Sequence, residues 1–352
     1  MVLRGMAHRE REMRTLALWC EAAARRATGW LEASLSQSEL KESAVQAPAE
    51  GYAGILSSAT IGALASASHL MAVAVSHWMV SPGEFHVLDE PEAYRRRTFL
   101  RNSCLLLAGC RLGRLDVVSR PAVERLLAYQ HRSGGFFEMD PAQGHGLVDA
   151  FTTAWGGRVA LRLCRYERAR AAAHLLAEML YMQPDPDRRF YFCYDTLASS
   201  LVTRWRGEIP QSRYLDFEQV TGETHQLGMA LSFMAEMHLT EPAAGWGRPL
   251  AGLLQAVGRW PAALLRQHAM ATMPEGLGLA MWALERAAGE AAPRLAEALD
   301  GVSQVLSPAG AFPSWECGVG REYERGFSAV EATGWGALCL AGLAHALANV
   351  KS

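Results

Sequence analysis

Helix-forming stretches of two kinds alternate along this chain, one kind charged and the other almost free of charge. His8–Leu31, Val118–His131, Tyr166–Tyr181 and Ala291–Leu306 are amphipathic and rich in Arg and Glu, whereas Gly54–Ser68, Phe151–Ala160, Gly276–Leu284 and Ala332–Ala348 are built from Ala, Gly, Ser and Leu. A helix that is apolar on all sides has to be surrounded by other helices. No segment shows sustained alternation of period two, and Ala, Leu, Arg, Met and Glu dominate, so the expected class is all-α. A double ring satisfies the alternation, with amphipathic helices outside and apolar ones inside.

The 352 residues carry 34 basic and 36 acidic side chains, a formal charge of −2, which excludes a polybasic nucleic-acid surface as the leading function. Lys41 and Lys351 are the only lysines, a bias that reads first as codon usage. Seven cysteines are odd in number and form no CxxC pair, which predicts a reduced, cytoplasmic protein. Arg4, Arg9, Glu10, Arg11, Glu12 and Arg14 occupy the N-terminus where a secretory signal would be apolar. Residues 51–83 hold no charge and are long enough to span a bilayer, yet they contain Ser57, Ser58, Thr60, Ser66, Ser68 and Ser76 and more Ala than Leu or Ile. They read as a buried, all-round apolar helix pair and not as a membrane span. One domain over 1–352 is expected, with 1–50 an outer helix plus a polar connection and 51–350 helical-hairpin repeats.

The connections between outer and inner helices resemble one another. Gln130 is followed by Gly134 and Phe136, then by a helix opening at Asp149-Ala-Phe-Thr-Thr-Ala-Trp155. Gln183 is followed by Pro-Asp-Pro-Asp and Phe190, with a helix expected to open near Asp195; Gln304 is followed by Gly310 and Phe312, with a helix opening at Glu331-Ala-Thr-Gly-Trp335. Glutamine, turn, aromatic residue and acidic helix start make an internal repeat of roughly 50–60 residues. The glutamine suits free carbonyls at an outer helix end, and the carboxylate suits the positive start of the next helix.

Gln130, Gly134 and Phe136 resemble the QxxxGxW motif of squalene–hopene and related triterpene cyclases, and Asp149…Trp155…Leu161 resembles the loop-to-inner-helix segment of protein prenyltransferase β-subunits. The resemblance covers 118–163, more weakly 180–200 and 302–347, and implies an α/α toroid of about six inner and six outer helices around a central apolar cavity. The families' chemistry is missing. No DxDD or DDxxD carboxylate motif is present, and Asp185-Pro-Asp187 reads as a solvated loop. Of the prenyltransferase zinc ligands only Cys317 has a counterpart, and Cys339 is followed by Leu340 and not by His as a lanthipeptide-cyclase site would need. Neither a metal nor a cofactor is expected.

What remains is positional. Inner-helix starts of a toroid converge on one mouth, where Asp149, Asp195, Glu223, His225, Glu275 and Glu331 would meet, although each acid also serves as a plain helix cap. Crowded, partly buried carboxyls provide an acid beside a base. The expected catalytic residues are Asp149 or Glu331 as the proton donor and His225 or Asp195 as the acceptor. Trp155, Trp335, Trp282, Tyr194 and Glu275 are expected to bind substrate, with Trp315 and Tyr323 nearby. The leading expectation is therefore a metal-independent, terpene-cyclase-like cyclase or isomerase of specialised metabolism, acting on an apolar isoprenoid or polyketide-like molecule. The alternatives are a carbohydrate epimerase, hydrolase or lyase, and a non-catalytic binding toroid. A deep apolar cavity favours the first, a polar groove with Arg and Trp the second, and a filled centre the third.

Overall fold

A computed structural model describes residues 2–38, 51–86, 98–138, 141, 146–204, 213–222, 224–266, 271–284, 288–313 and 329–350. Six inner helices form a closed ring: α2 (Tyr52–Thr60), α4 (Thr98–Leu112), α6 (Ala150–Arg162), α8 (His225–Thr240), α11 (Thr272–Ala283) and α13 (Ala329–Asn349), each packed on the next and α13 on α2. Around them stand α1 (Val2–Ser38), α3 (Leu64–Trp78), α5 (Arg120–Leu127), α7 (Tyr166–Tyr181), α9 (Gly247–Gly258) and α12 (Ala288–Val305), with the single-turn α10 (Ala262–Leu265) packed against α12. The expected α/α toroid is the fold observed.

Burial follows the charge alternation. Every residue from Ala150 to Ala160 of α6 is buried, whereas α5 buries only Ala122, Val123, Leu126 and Leu127. Ser119 caps α5 by accepting from Ala122 N–H, with a proline in the first turn where its missing donor costs nothing. The uncharged run over 51–83 is corrected in one respect. Tyr52–Ala59 is buried all round, but α3 lies in the outer ring and buries only Ala67, Leu70, Met71, Ala74 and Trp78, a stripe at helical spacing. Its other face is Ser, His and Ala, which tolerate water without carrying charge. Among the described residues no helix is long and apolar enough to cross a membrane.

Short turns lead from each inner helix to the following outer one, and long connections return the chain to the inner-helix N-termini. Those connections contain strands that the absence of period-two patterning did not predict. β1 (Met79–Ser81) pairs with β2 (Glu84–Phe85); β3 (Leu147–Asp149), β5 (Cys193–Asp195) and β6 (Ser200–Leu201) form one small antiparallel sheet; β4 (Arg189–Tyr191), β7 (Tyr214–Asp216) and β8 (Thr221–Gly222) form another. At two or three residues apiece these strands are too short to show a period.

The repeat has a common geometry in its first and third copies. Phe136 N–H donates to Thr153 Oγ1 at 3.2 Å, and Phe312 N–H donates to Thr333 Oγ1 at 2.9 Å. Both rings are buried, each against a glycine one turn further along the inner helix, Gly156 and Gly336, where a Cβ would fall inside the ring. The glutamines behave less uniformly. Gln183 Nε2 donates to Met179 O of its own helix at 3.0 Å, as expected of a C-terminal cap, while Gln130 Nε2 donates to Gly134 O and to Arg168 O of the next outer helix, both at 2.9 Å. Gln304 is exposed and bonds Asp300.

Candidate functional site

Four inner-helix starts, those of α2, α6, α8 and α13, meet at the N-terminal end of the ring. Asp149 precedes α6 and caps it: Oδ1 accepts from Thr152 N–H at 2.8 Å and Oδ2 from Thr152 Oγ1 at 2.9 Å. Phe151 N–H donates to Gln226 Oε1 at 2.8 Å, which fixes the start of α6 to that of α8. His225 opens α8 with its ring centroid 5.2 Å from that of Phe151, and Phe151 lies 5.4 Å from Trp335. Across the ring the Tyr52 phenol donates to Glu331 Oε1, and the Tyr52 ring stands edge-on to Trp335 at 6.5 Å. Beneath them Trp155 and Trp335 make a T-shaped pair at 4.8 Å, with Trp155 Nε1–H donating to Ser103 Oγ at 2.8 Å. One chain of contacts thus links His225, Trp335, Trp155 and Glu331, with Asp149 two residues from Phe151 in that chain.

Tyr194 is buried in the sheet whose β3 strand ends at Asp149, opposite Val148. Asp195 does not open a helix. It ends β5, pairs with Leu147, and its Oδ1 accepts from Leu197 N–H at 2.8 Å and Ala198 N–H at 3.0 Å. The run Phe190-Tyr-Phe-Cys-Tyr favours extended backbone, and an Asp with free main-chain donors two and three residues ahead closes a turn. Glu223, Trp315, Cys317 and Tyr323 lie outside the described residues.

Glu275 belongs deeper in the barrel. Arg158 Nη2 donates to Glu275 Oε1 and to Glu236 Oε1, both at 2.7 Å, so one guanidinium joins α6, α8 and α11. Burial alone would lower the Arg158 pKa, but the two carboxylates hold it well above its ordinary value. Burial would likewise raise Glu236, and Arg158 and then Arg162 pull its carboxyl below the usual range. Arg158 and Glu236 were not expected. Their signal was there to find: α6, α8 and α11 each place a charge within an otherwise apolar helix interior, a residue type almost never buried without a partner. The Cys104 and Cys339 thiols are pushed well up by burial, helped by Glu331 and Glu275 respectively, so neither is poised as a thiolate.

A cavity of about 1690 Å³ opens towards the other end, lined mainly by the C-terminal halves of the inner helices and by residues 11–25 of α1, and reaching inward to Trp155 and Glu275. Trp155, Glu275 and Trp282 line it, while Asp149, Asp195, His225 and Glu331 do not. Trp282 stands edge-on to His345 at 5.5 Å. The expected greasy hollow for an apolar substrate is corrected here: Arg111, Arg158, Arg162, Glu236 and Glu275 face this space. An apolar carbocation precursor has no use for such a wall, whose charges it would have to desolvate.

No protein-family model and no curated protein matches the sequence. Solved structures do resemble it. A Salmonella enterica serovar Paratyphi A protein described as a possible member of glycoside hydrolase family 105 is 13% identical, with 93% of each chain covered and a TM-score of 0.56. A family 105 glycoside hydrolase of C. acetobutylicum is 11% identical over 84% of this chain and 93% of its own, with a TM-score of 0.50. The neighbours are glycoside hydrolases, and together with the charged cavity they overturn the expected terpene-cyclase-like cyclase or isomerase of specialised metabolism. The loop motif marks a toroid in general, because its Gln, Gly and aromatic residue serve chain reversal and not chemistry. At these identities the likeness establishes the α/α toroid fold.

Proposed function

We propose that this chain is a carbohydrate-active hydrolase working at the N-terminal end of the inner ring, with Asp149 and Glu331 as its carboxyl pair. The observation that carries the reading is that the two acids stand at helix starts joined by one chain of contacts, Asp149 two residues before Phe151, Phe151 against Trp335, Trp335 against Tyr52, and Tyr52 bonded to Glu331. Glycoside hydrolysis needs one carboxyl group to protonate the leaving oxygen and another to activate water or attack the sugar. Asp149 accepts two hydrogen bonds at a helix start, which favours its ionised form and suits the second role. Glu331, whose Oε1 accepts from Tyr52, is assigned the first role. His225 is placed to bind a hydroxyl. The toroids of the two glycoside hydrolases support the choice of substrate class.

The test is release of reducing ends from a panel of neutral and acidic oligosaccharides by the full chain. Asp149→Asn and Glu331→Gln each lower kcat by about 10²–10⁴-fold while melting within a few degrees of the parent. Asn is as good a helix cap as Asp, and Gln keeps the acceptor for Tyr52, so neither change removes the local scaffold. Retained turnover in either variant, or no turnover of any glycan by the parent, rejects the reading.

A further inference from the structure

The cavity at the opposite end plays no part in that proposal, and its charge is unbalanced. Six arginines line it, at 11, 14, 25, 111, 158 and 162, against three glutamates, at 21, 236 and 275. Arg25 pairs with Glu21, Arg158 with Glu236 and Glu275, and Arg162 shares Glu236 at 3.2 Å. Arg11, Arg14 and Arg111 have no side-chain partner among the described residues, so three positive charges are left over. Arg111 also faces its like: partial burial and then the Arg162 guanidinium lower its pKa. A protein with no anion to receive gains nothing from opposing two guanidiniums in a cavity wall.

The α1 helix contributes on purpose-built spacing. Arg11, Arg14, Leu18, Glu21 and Arg25 fall on one stripe at intervals of three and four, and all line the cavity, while Ala17, Cys20 and Ala24 of a neighbouring stripe are buried in the core. With 37 residues at about 1.5 Å each, α1 is roughly 55 Å long, much longer than any inner helix. Its residues 11–25 run along the cavity and present arginine forks to it.

We infer that this cavity binds a small molecule bearing a phosphomonoester, gripped by the arginines left without a side-chain partner, Arg111 from the ring and Arg11 and Arg14 from α1. Guanidinium forks match the oxygen geometry of phosphate, and a dianion offsets most of the excess charge where a single carboxylate would leave two charges uncompensated. Trp282, Leu161 and Leu338 offer apolar wall for the organic part. The site is independent of the hydrolase reading, since none of Asp149, His225 and Glu331 lines it.

Titration calorimetry of the full chain with inorganic phosphate, glycerol 3-phosphate and acetate tests the inference. Saturable binding of both phosphates is expected, with glycerol 3-phosphate the tighter and acetate at least tenfold weaker than phosphate. Arg111→Ala and Arg14→Ala each weaken phosphate at least tenfold, and Arg111→Lys, which keeps charge but loses the fork, falls between. These side chains sit on exposed helix surface, so ligand-free melting temperatures stay within a few degrees. Asp149→Asn and Glu331→Gln bind phosphate as the parent does, which separates this site from the hydrolase site. Absent phosphate binding, binding indifferent to Arg111 and Arg14, or acetate as tight as phosphate overturns the inference.

Discussion

Arg158→Met is expected to destabilise the toroid by about 3–5 kcal/mol, seen as a lower urea midpoint with an unchanged slope. The Arg158 side chain is 4% exposed and the carboxylates it bridges are 19% exposed for Glu236 and 2% for Glu275. Five donor contacts to those two groups, between 2.7 and 3.1 Å, spend the whole fork. A buried ion cluster is worth little net against well-packed apolar residues, because desolvation consumes most of the attraction. Removing only the cation is different. Two carboxylates then remain enclosed, and Arg162 reaches Glu236 alone. The pH dependence separates this cause from simple loss of packing. In the parent, Glu236 has a lowered folded pKa, so its contribution is complete above the ordinary value of 4.5 and is lost as pH falls through the lowered one. In Arg158→Met the abandoned carboxylates favour protonation, and stability rises as pH falls from 7 towards 5. Adding Glu236→Gln and Glu275→Gln to Arg158→Met recovers most of the loss. A loss that is the same at pH 5 and pH 7 would contradict the charge argument.

Legibility in the sequence followed the length scale of the signal. Helix polarity runs over ten residues or more, so the two rings, the buried Tyr52–Ala59 segment and the limits of α7 could be read directly. The Thr-x-Trp-Gly segments at 153–156 and 333–336 also carried position, because each seats an aromatic residue from the loop before it. Strands of two or three residues leave no period, which is why the sequence pattern predicts a helix start at Asp195 where a strand ends. The direction of the cavity was harder still. Residues one turn apart on an inner helix face the same axis, so the sequence places Trp155 and Arg158 on one wall without showing which end of the ring stays open. Tight packing of Trp155, Trp335, Phe151 and Tyr52 fills the level below the N-terminal end, and the larger space falls beyond Arg158.

Gly134→Ala should cost about 2–5 kcal/mol, although glycine to alanine is among the smallest changes available. Gly134 has φ of +99°, a conformation that charges any Cβ about 1–2 kcal/mol. Its Cβ would also lie 2.6 Å from the carbonyl carbon of Ala171, within the backbone of α7, and forcing such an overlap adds about 1–3 kcal/mol. The helix cannot retreat cheaply, since Gln130 ties Gly134 O to Arg168 O one turn away. Gly310 repeats the arrangement in the third copy, with φ of +96° and a Cβ 2.5 Å from the carbonyl carbon of Arg26 in α1. Gly310→Ala is therefore expected to lose a comparable amount, and the two losses add because the sites lie in different hairpins. Gly29 provides the opposite sign: it sits inside α1 with no atom within 4 Å of an added Cβ, so Gly29→Ala gains about 0.5–1 kcal/mol from helix propensity. Urea midpoints of the three variants test the account together. If Gly134→Ala and Gly310→Ala unfold within 1 kcal/mol of the parent, the loop glycines are not wedged against the outer helices, and the structural basis of the repeat is lost.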